Sequence, residues 1–130
     1  MFDNDPRKVS DRVTNYGLFI DPPLDRVDMT GTQVRDSGKK VLIGKMMMAR
    51  IGRARERGET RGFMKILVDA DIKPILGANI LGIGGDEIIH SLLDIMYADA
   101  AYTVIQRAVH NHPTVSELIP KMLGDLKPLE

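Results

Sequence analysis

Four segments of the chain carry the composition or the alternation of apolar and polar residues that is typical of β-strands. They are residues 16–20, 41 to about 57, 62–69 and 75–81. The first segment is stopped by Asp21-Pro22-Pro23, because proline removes a backbone donor and fixes φ. The last two segments are close neighbours in sequence, and we expect them to form a hairpin.

Helical patterns occupy most of the second half of the chain. The clearest covers residues 86–99, where apolar residues return every three or four positions and fill one side of a helix. Shorter helices are predicted at 30–37, where Thr30 and Gln33 match a capping box, and at 100–109 and 114–123. Pro120 lies beyond the first turn of the last of these, so the pattern predicts a kink there.

The order of these segments indicates the fold class. Consecutive strand signals precede consecutive helix signals, whereas an alternation of the two would favour a parallel sheet. We therefore expect an α+β fold with a mainly antiparallel sheet of about four to five strands and helices packed on one face. Residues 16–127 are the predicted domain, residues 1–15 a linker or a severed connection to upstream domains, and residues 128–130 a tail.

Composition and charge argue against some classes of binding partner. Hydrophobic residues make up 43% of the 130 residues and charged residues 28%, as in a single globular domain. The formal net charge is zero, and acidic residues interrupt the arginines between Arg50 and Arg61, which argues against nucleic acid. No apolar run approaches the roughly 20 residues that span a bilayer, and the N-terminus does not read as a targeting segment. We expect a cytoplasmic protein without a membrane partner.

Two segments resemble ligand-binding motifs but do not have all the residues that these motifs need. The glycines at 82–85 precede a helix as in a dinucleotide loop, but Glu87 stands at the position of the third glycine, and Asp86 and Glu87 would repel phosphate. The acidic residues at 69–71 lack the oxygen ligand and the glycine of a calcium loop, because Lys73 and Pro74 occupy those positions. No cofactor-binding or metal-binding residue is predicted.

The most informative stretch is His110-Asn111-His112-Pro113-Thr114-Val115-Ser116-Glu117. It places the imidazole of His112 five residues before the carboxylate of Glu117. A carboxylate that accepts the Nδ1 proton fixes the tautomer and raises the basicity of Nε2, which prepares a general acid or base. Thr114 and Glu117 also match a capping box at a helix start. The spacing is compatible with both interpretations.

This octapeptide resembles the C-terminal signature of the flavin-dependent disulfide reductases, among them glutathione reductase, dihydrolipoamide dehydrogenase and mercuric reductase. The resemblance runs from about Asp5 to Leu126 and includes residues 16–22, 62–65, 75–78 and 85–90. Together these segments resemble the interface domain that ends each subunit of the family. The flanking sequence looks closest to the mercuric-reductase-like branch.

The resemblance implies a homodimer formed through the C-terminal half. Each domain would supply His112, oriented by Glu117, to the redox dithiol of the partner subunit, whereas His110 would be structural. FAD and NAD(P)H are implied for a longer parent protein with upstream domains. The chain contains no cysteine, so the dithiol must lie outside it, and the missing C-terminal cysteine pair argues against mercury as the substrate. We expect the isolated domain to be catalytically inert.

A free-standing dimeric interaction module is the alternative function. In that case the fold persists without chemistry, and His112 and Glu117 serve only in capping and packing. The coding sequence upstream of Met1 distinguishes the two functions. An open frame that continues into a glycine-rich dinucleotide motif and a cysteine pair supports the enzyme, and a promoter with a start signal supports the module.

Overall fold

The computed structural model describes residues 4–130, a range that holds six β-strands and five α-helices. The strands are β1 (Asn15–Leu18), β2 (Leu24–Asp28), β3 (Val41–Met47), β4 (Phe63–Asp69), β5 (Ile75–Leu81) and β6 (Lys127–Pro128). The helices are α1 (Gly31–Asp36), α2 (Gly52–Glu56), α3 (Gly85–Tyr97), α4 (Thr103–Gln106) and α5 (Ile119–Gly124). The first three residues of the predicted linker lie outside the described range.

The strands form one sheet in the order β1-β2-β5-β4-β3-β6, and every neighbouring pair is antiparallel. The α+β class and the antiparallel sheet are thereby confirmed, with six strands rather than four to five. The predicted hairpin is β4–β5. Two strands were not predicted. Strand β2 lies between β1 and β5, and β6 pairs with the outer edge of β3.

The main core lies between one face of the sheet and the helices of the C-terminal half. Met64, Ile66 and Val68 of β4 point to this face, because alternate residues of a strand share a side. They belong to one buried cluster with Leu92 of α3 and with Ile119 of α5. Burial of these side chains attaches both helices to the central strands.

A smaller cluster lies on the opposite face of the sheet. Leu67 of β4 and Leu76 of β5 pack there with Val34 of α1. The helix begins with the predicted capping box, in which the Gln33 N–H donates to Thr30 Oγ1 (3.1 Å) and the Thr30 N–H donates to Gln33 Oε1 (2.8 Å). Helix α1 therefore covers one part of the face that the other helices leave open.

The predicted long strand from 41 to about 57 is wrong beyond Met47. A 3₁₀ turn at Met48–Arg50 and helix α2 follow β3 instead. Met48, Ile51 and Ala54 are fully buried at intervals of three residues, which is the spacing of a helical turn and not of a strand. The apparent alternation in this segment came from the arginines at every second position from Arg53 to Arg57.

The C-terminal helices are shorter than predicted. Residues 114–123 form a 3₁₀ turn at Ser116–Leu118 and then α5, so a continuous helix from Thr114 is wrong. Pro120 lies in the first turn of α5, where a helix has no backbone bond for proline to remove. The predicted kink is therefore absent. The helix predicted at 100–109 is reduced to the four residues of α4.

The chain continues to make backbone contacts up to its last residues. Lys127 and Pro128 pair with Ile43 and Leu42 of β3, and the Leu129 N–H donates to the carbonyl of Val41 (2.9 Å). The division into linker, domain and tail stays a prediction. None of the helices within residues 4–130 has the length and apolar character that a membrane crossing requires.

Replacing Ile66 with alanine is expected to destabilise the domain by about 2–5 kcal/mol, because Ile66 is fully buried in the main core. The matched control is Ile72→Ala in the β4–β5 turn, where the side chain is exposed and the expected change is within about 0.5 kcal/mol. Denaturant unfolding of both variants measures the difference. Equal losses would show that the core is placed wrongly.

Asp69 is expected to stabilise the β4–β5 turn in a pH-dependent way. Its Oδ1 accepts hydrogen bonds from the N–H groups of Ile72 (3.0 Å) and Asp71 (2.9 Å), and these donors lower the pKa of Asp69 below its usual value. A lowered folded pKa gives stability that is present above the ordinary pKa and is lost as the pH falls through the folded pKa.

We expect Asp69→Ala to lower the Tm at pH 7, and the difference from the unchanged protein to shrink as the pH falls below about 4. The exposed Asp71 in the same turn provides the control, since Asp71→Ala removes a carboxylate of the same charge. Thermal unfolding followed by circular dichroism across this pH range tests the expectation. A constant difference at all pH values would contradict it.

Candidate acid–base site

The connection between α4 and α5 brings His112 and Glu117 together. The Nδ1 atom of His112 lies 2.7 Å from Oε2 of Glu117. An ionised carboxylate can only accept hydrogen bonds, so the imidazole donates through Nδ1–H. The neutral ring then keeps its lone pair on Nε2. The structure therefore forms the contact that the five-residue spacing predicts, in the tautomer that suits a base at Nε2.

The two partners differ strongly in their exposure to solvent. The His112 side chain is 79% exposed, whereas that of Glu117 is only 12% exposed. Glu117 lies in the 3₁₀ turn before α5, and its Oε1 approaches Gly52 at the start of α2. The carboxylate is therefore held by the domain, and the imidazole attached to it remains accessible from outside.

The predicted capping box is formed only in part. The Thr114 N–H donates to Glu117 Oε2 at 3.3 Å, as the second half of such a box requires. The Thr114 hydroxyl, however, donates to the carbonyl of Asn111 (2.7 Å). Glu117 thus serves the local turn and His112 through the same oxygen, and the two interpretations of this segment are compatible.

His110 makes a different contact from His112. Its Nδ1 lies 3.0 Å from the carbonyl oxygen of Ser116, to which it donates. The side chain is half-buried, and the bond joins the two ends of the turn that carries His112 and Pro113. The Nδ1 atom of His110 is therefore bonded within the turn and not exposed to a partner outside it.

The described residues do not form a site for a dinucleotide. A dinucleotide fold needs parallel strands joined by a helix, and every strand pair here is antiparallel. Asp86 and Glu87 occupy the first turn of α3, where they oppose a phosphate. Within residues 4–130 no group of three or more metal-ligating side chains is placed to hold a metal ion. FAD and NAD(P)H therefore do not fit the residues of this chain.

Comparison with known proteins identifies the family. The family model described as "Pyridine nucleotide-disulphide oxidoreductase, dimerisation domain" matches residues 14–123. The chain belongs to this family. The match includes all strands except β6, as well as the His112 turn, so the fold and the candidate site lie inside the family domain.

Relatives with known names agree with this assignment. The chain is 34% identical over 112 residues to "Probable pyridine nucleotide-disulfide oxidoreductase RclA" of Escherichia coli, covering 86% of this chain and 25% of that protein. It is 34% identical over 102 residues to "Dihydrolipoyl dehydrogenase 2" of Haloarcula marismortui, covering 78% of this chain and 22% of that protein. The chain thus spans about a quarter of these relatives' length. Its assignment to the mercuric-reductase-like branch stays a prediction.

Solved structures show the same fold. The "HOCl-induced flavoprotein disulfide reductase RclA" from Escherichia coli superimposes with a TM-score of 0.90 at 33% identity, covering 95% of this chain and 29% of that chain. LpdA from Mycobacterium tuberculosis has a TM-score of 0.77 at 14% identity, over 84% of this chain and 24% of that chain, which supports the fold alone. The fold of the family's dimerisation domain is therefore present here.

Two contacts around the site were not predicted from the sequence. The Ser116 carbonyl was not identified as the partner of His110, because a backbone acceptor leaves no residue pattern. The approach of Gly52 to Glu117 was also missed, because residues 41 to about 57 were expected to form one strand. The three-residue spacing of Met48, Ile51 and Ala54 was the sequence signal for a helical turn before α2.

The tautomer of His112 can be tested on the isolated chain. We expect the ¹⁵N spectrum of the neutral imidazole to show a proton on Nδ1 and none on Nε2, because Glu117 accepts from Nδ1. In Glu117→Gln the side-chain amide can donate as well as accept, so the tautomers should mix. His110 in the same spectra is the internal control. An Nε2-protonated ring in the unchanged chain would refute the assignment.

Proposed function

We propose that this chain is the interface domain of an NAD(P)H-dependent flavoprotein disulfide oxidoreductase and supplies His112 as a proton carrier to the redox dithiol of the partner subunit. The observation that carries the proposal is the 2.7 Å contact between an exposed imidazole and a mostly buried carboxylate. A side chain that serves a second subunit must be oriented by its own domain and still be accessible. His112 meets both conditions.

The chemistry proposed for this pair is a proton transfer. When a thiol of the partner becomes a thiolate, His112 Nε2 takes its proton, and the resulting imidazolium is stabilised by the Glu117 carboxylate. When the thiolate attacks a substrate disulfide, a new S–S bond forms, the old one breaks, and the leaving thiolate takes the proton from His112. The thiolate is the reactive form of cysteine, so removal of the proton is the step that a histidine can promote. The two electrons that reduce the disulfide would be transferred by cofactors bound outside this chain.

Apolar residues exposed in the C-terminal half support the proposed homodimer. Val109, immediately before the site, is 98% exposed, and Val104 of α4 and Tyr97 of α3 are also exposed. Exposed apolar side chains such as Phe19 and Ile20 also occur in the N-terminal half, so the support comes from the position of Val109 beside the site. Burial of Val109 in a dimer would bring the neighbouring His112 turn to the subunit boundary.

Replacing His112 with glutamine in the full flavoprotein that carries this domain should lower turnover roughly 10²- to 10⁴-fold, the contribution of a general acid or base. Folding, flavin content and dimerisation should be unchanged, because the side chain is exposed. Glu117→Gln should cost less, since the base is retained and only its orientation and tautomer are disturbed. Steady-state turnover per bound flavin, measured against pH, is the readout.

His110→Gln is the matched control, and its effect should be on stability and not on turnover per folded enzyme. Sedimentation of all three variants verifies that they remain dimers. If His112→Gln leaves turnover and its pH profile unchanged while His110→Gln abolishes them, the catalytic role belongs to the first histidine. If neither change affects turnover, neither histidine carries the proton, and the proposed role of His112 fails.

A further inference from the structure

A cavity of about 270 Å³ lies between the edge of the sheet and α3. We call it the Asp25 pocket. Gly17, Phe19 and Asp25 line it from the sheet side, and Asp86, Ile89 and His90 line it from α3. Its volume is slightly below the roughly 300–1,000 Å³ of sites for drug-sized ligands, so it suits a group of side-chain size. The pocket is separate in sequence from the His112 turn.

Asp25 is a buried acid without a partner. The residue is 6% exposed, and among residues 4–130 its Oδ2 is enclosed and forms no hydrogen bond. A buried carboxylate normally accepts several hydrogen bonds, because an unpaired charge inside a protein is costly. The missing partner is the observation that points to a ligand.

The backbone leaves room for this carboxyl group. Gly17 is the cross-strand partner of Asp25, and a Cβ at position 17 would collide with Asp25 Oδ1. A Cβ at Gly85, the first residue of α3, would lie 3.5 Å from Oδ2. The carboxyl group therefore lies in a gap between two glycines, at the beginning of a helix.

Three acids, Asp25, Asp86 and Glu87, and one arginine, Arg26, line the pocket, so its charges are mainly negative. Burial and the neighbouring Asp86 carboxylate raise the pKa of Asp25, and His90 offsets this in part.

Arg26 also borders the pocket, but it follows Asp25 in β2, and successive residues of a strand point to opposite faces of the sheet. Its guanidinium donates to the Tyr16 hydroxyl (2.8 Å), the carbonyl of Asp28 (2.8 Å) and Gln33 Oε1 (3.1 Å). These bonds engage the two Nη groups, whereas Nε is buried without a hydrogen-bond partner among residues 4–130. Within the same residues Arg26 forms no hydrogen bond or ion pair with the carboxyl group of Asp25.

Apolar side chains line part of the pocket, together with Asn15, Tyr16 and Arg26. Ile89 and Leu93 of α3 line one side, and the exposed ring of Phe19 lies at the other. An aromatic ring can attract a cation to its face, and aliphatic walls accept a short carbon chain. The described residues do not offer the three ligating side chains that a metal ion would need, so an organic cation fits better.

We propose that the Asp25 pocket binds an organic cation, a primary ammonium or guanidinium group on a short apolar stem. The charged end lies against the carboxyl groups of Asp25 and Asp86, and the stem contacts Ile89, Leu93 and Phe19. Such a group occurs in free amines and at the ends of lysine and arginine side chains. The proposal is independent of the role of His112.

The test is a titration of the ¹⁵N-labelled chain with n-butylammonium at constant ionic strength, followed by backbone amide shifts. We expect saturable shifts at Gly17, Ile89 and His90. 1-Butanol, which has a similar shape and no charge, should cause much smaller shifts. Equal shifts with butanol would overturn the proposal, because they would show that the charge is not recognised.

Variants separate a specific site from a general attraction. Asp25→Asn keeps the shape of the side chain and should weaken binding roughly tenfold or more, the scale of a hydrogen bond to a charged group. Asp86→Asn should weaken it less. The matched control is Asp94→Asn, an exposed acid on the same helix, which should leave the affinity unchanged. Equal weakening by Asp94→Asn and Asp25→Asn would show a nonspecific charge effect and overturn the site.

Stability provides a second measurement on the same variant. A raised folded pKa means that ionised Asp25 costs stability above its ordinary pKa, so Asp25→Asn should raise the Tm at pH 7. A lowered Tm would indicate that Asp25 already has an internal partner, which contradicts the proposal.

Nα-Acetyl-lysinamide distinguishes the source of the cation. If it binds as butylammonium does, the pocket accepts a lysine side chain of a protein. If only butylammonium binds, the ligand is a free amine, and if neither binds, the proposal fails.

Discussion

Strand β4 lies at the centre of the sheet, and its pairing with β3 on one side and β5 on the other joins the two halves of the domain. Its inward side chains, with Ile66 in the middle, are buried against the helices that follow the sheet in sequence. Helix α3 is attached through β5 and β2, and α5 through β3. The turn between α4 and α5 therefore has a fixed place only because these strands are paired.

The position of the acid–base pair follows from this arrangement. Helices α4 and α5 pack against each other, and Gln106 of α4 donates to the carbonyl of Leu123 in α5 (3.3 Å). The turn between them is closed by the bond from His110 to Ser116. Oε1 of Glu117 lies near Gly52 at the start of α2, between the buried residues Ile51 and Ala54. Glu117 itself is bonded to the Thr114 N–H and to His112, and only His112 is exposed to solvent.

The sequence was informative where a period repeats over several turns or strand positions. Helix α3 and the β4–β5 hairpin were predicted for this reason, and the contact of His112 with Glu117 followed from a spacing within one turn. Strand β2 was missed because Asp25, one of its two buried residues, is an acid, so its apolar alternation is broken. Helix α2 was missed because three buried positions are too few to separate a period of three from one of two.

Tertiary contacts that bring distant segments together could not be predicted from local patterns. The neighbourhood of Gly52 and Glu117 joins residues 65 positions apart, and no motif relates them. The Asp25 pocket likewise combines β1, β2 and the start of α3, which only the strand order places side by side. Such contacts depend on how the sheet is assembled, and the residues involved carry no shared signature.

The short strand β6 has a consequence beyond the fold itself. Strand β3 would otherwise present unpaired N–H and C=O groups at the edge of the sheet, and such edges recruit strands from other molecules. Lys127 and Pro128 cover part of this edge, and Arg35 of α1 donates to the carbonyl of Glu130 (2.9 Å). Proline suits this position because it offers no outward N–H for a further strand. Part of an edge to which a strand of another molecule could pair is thereby covered from within the same chain.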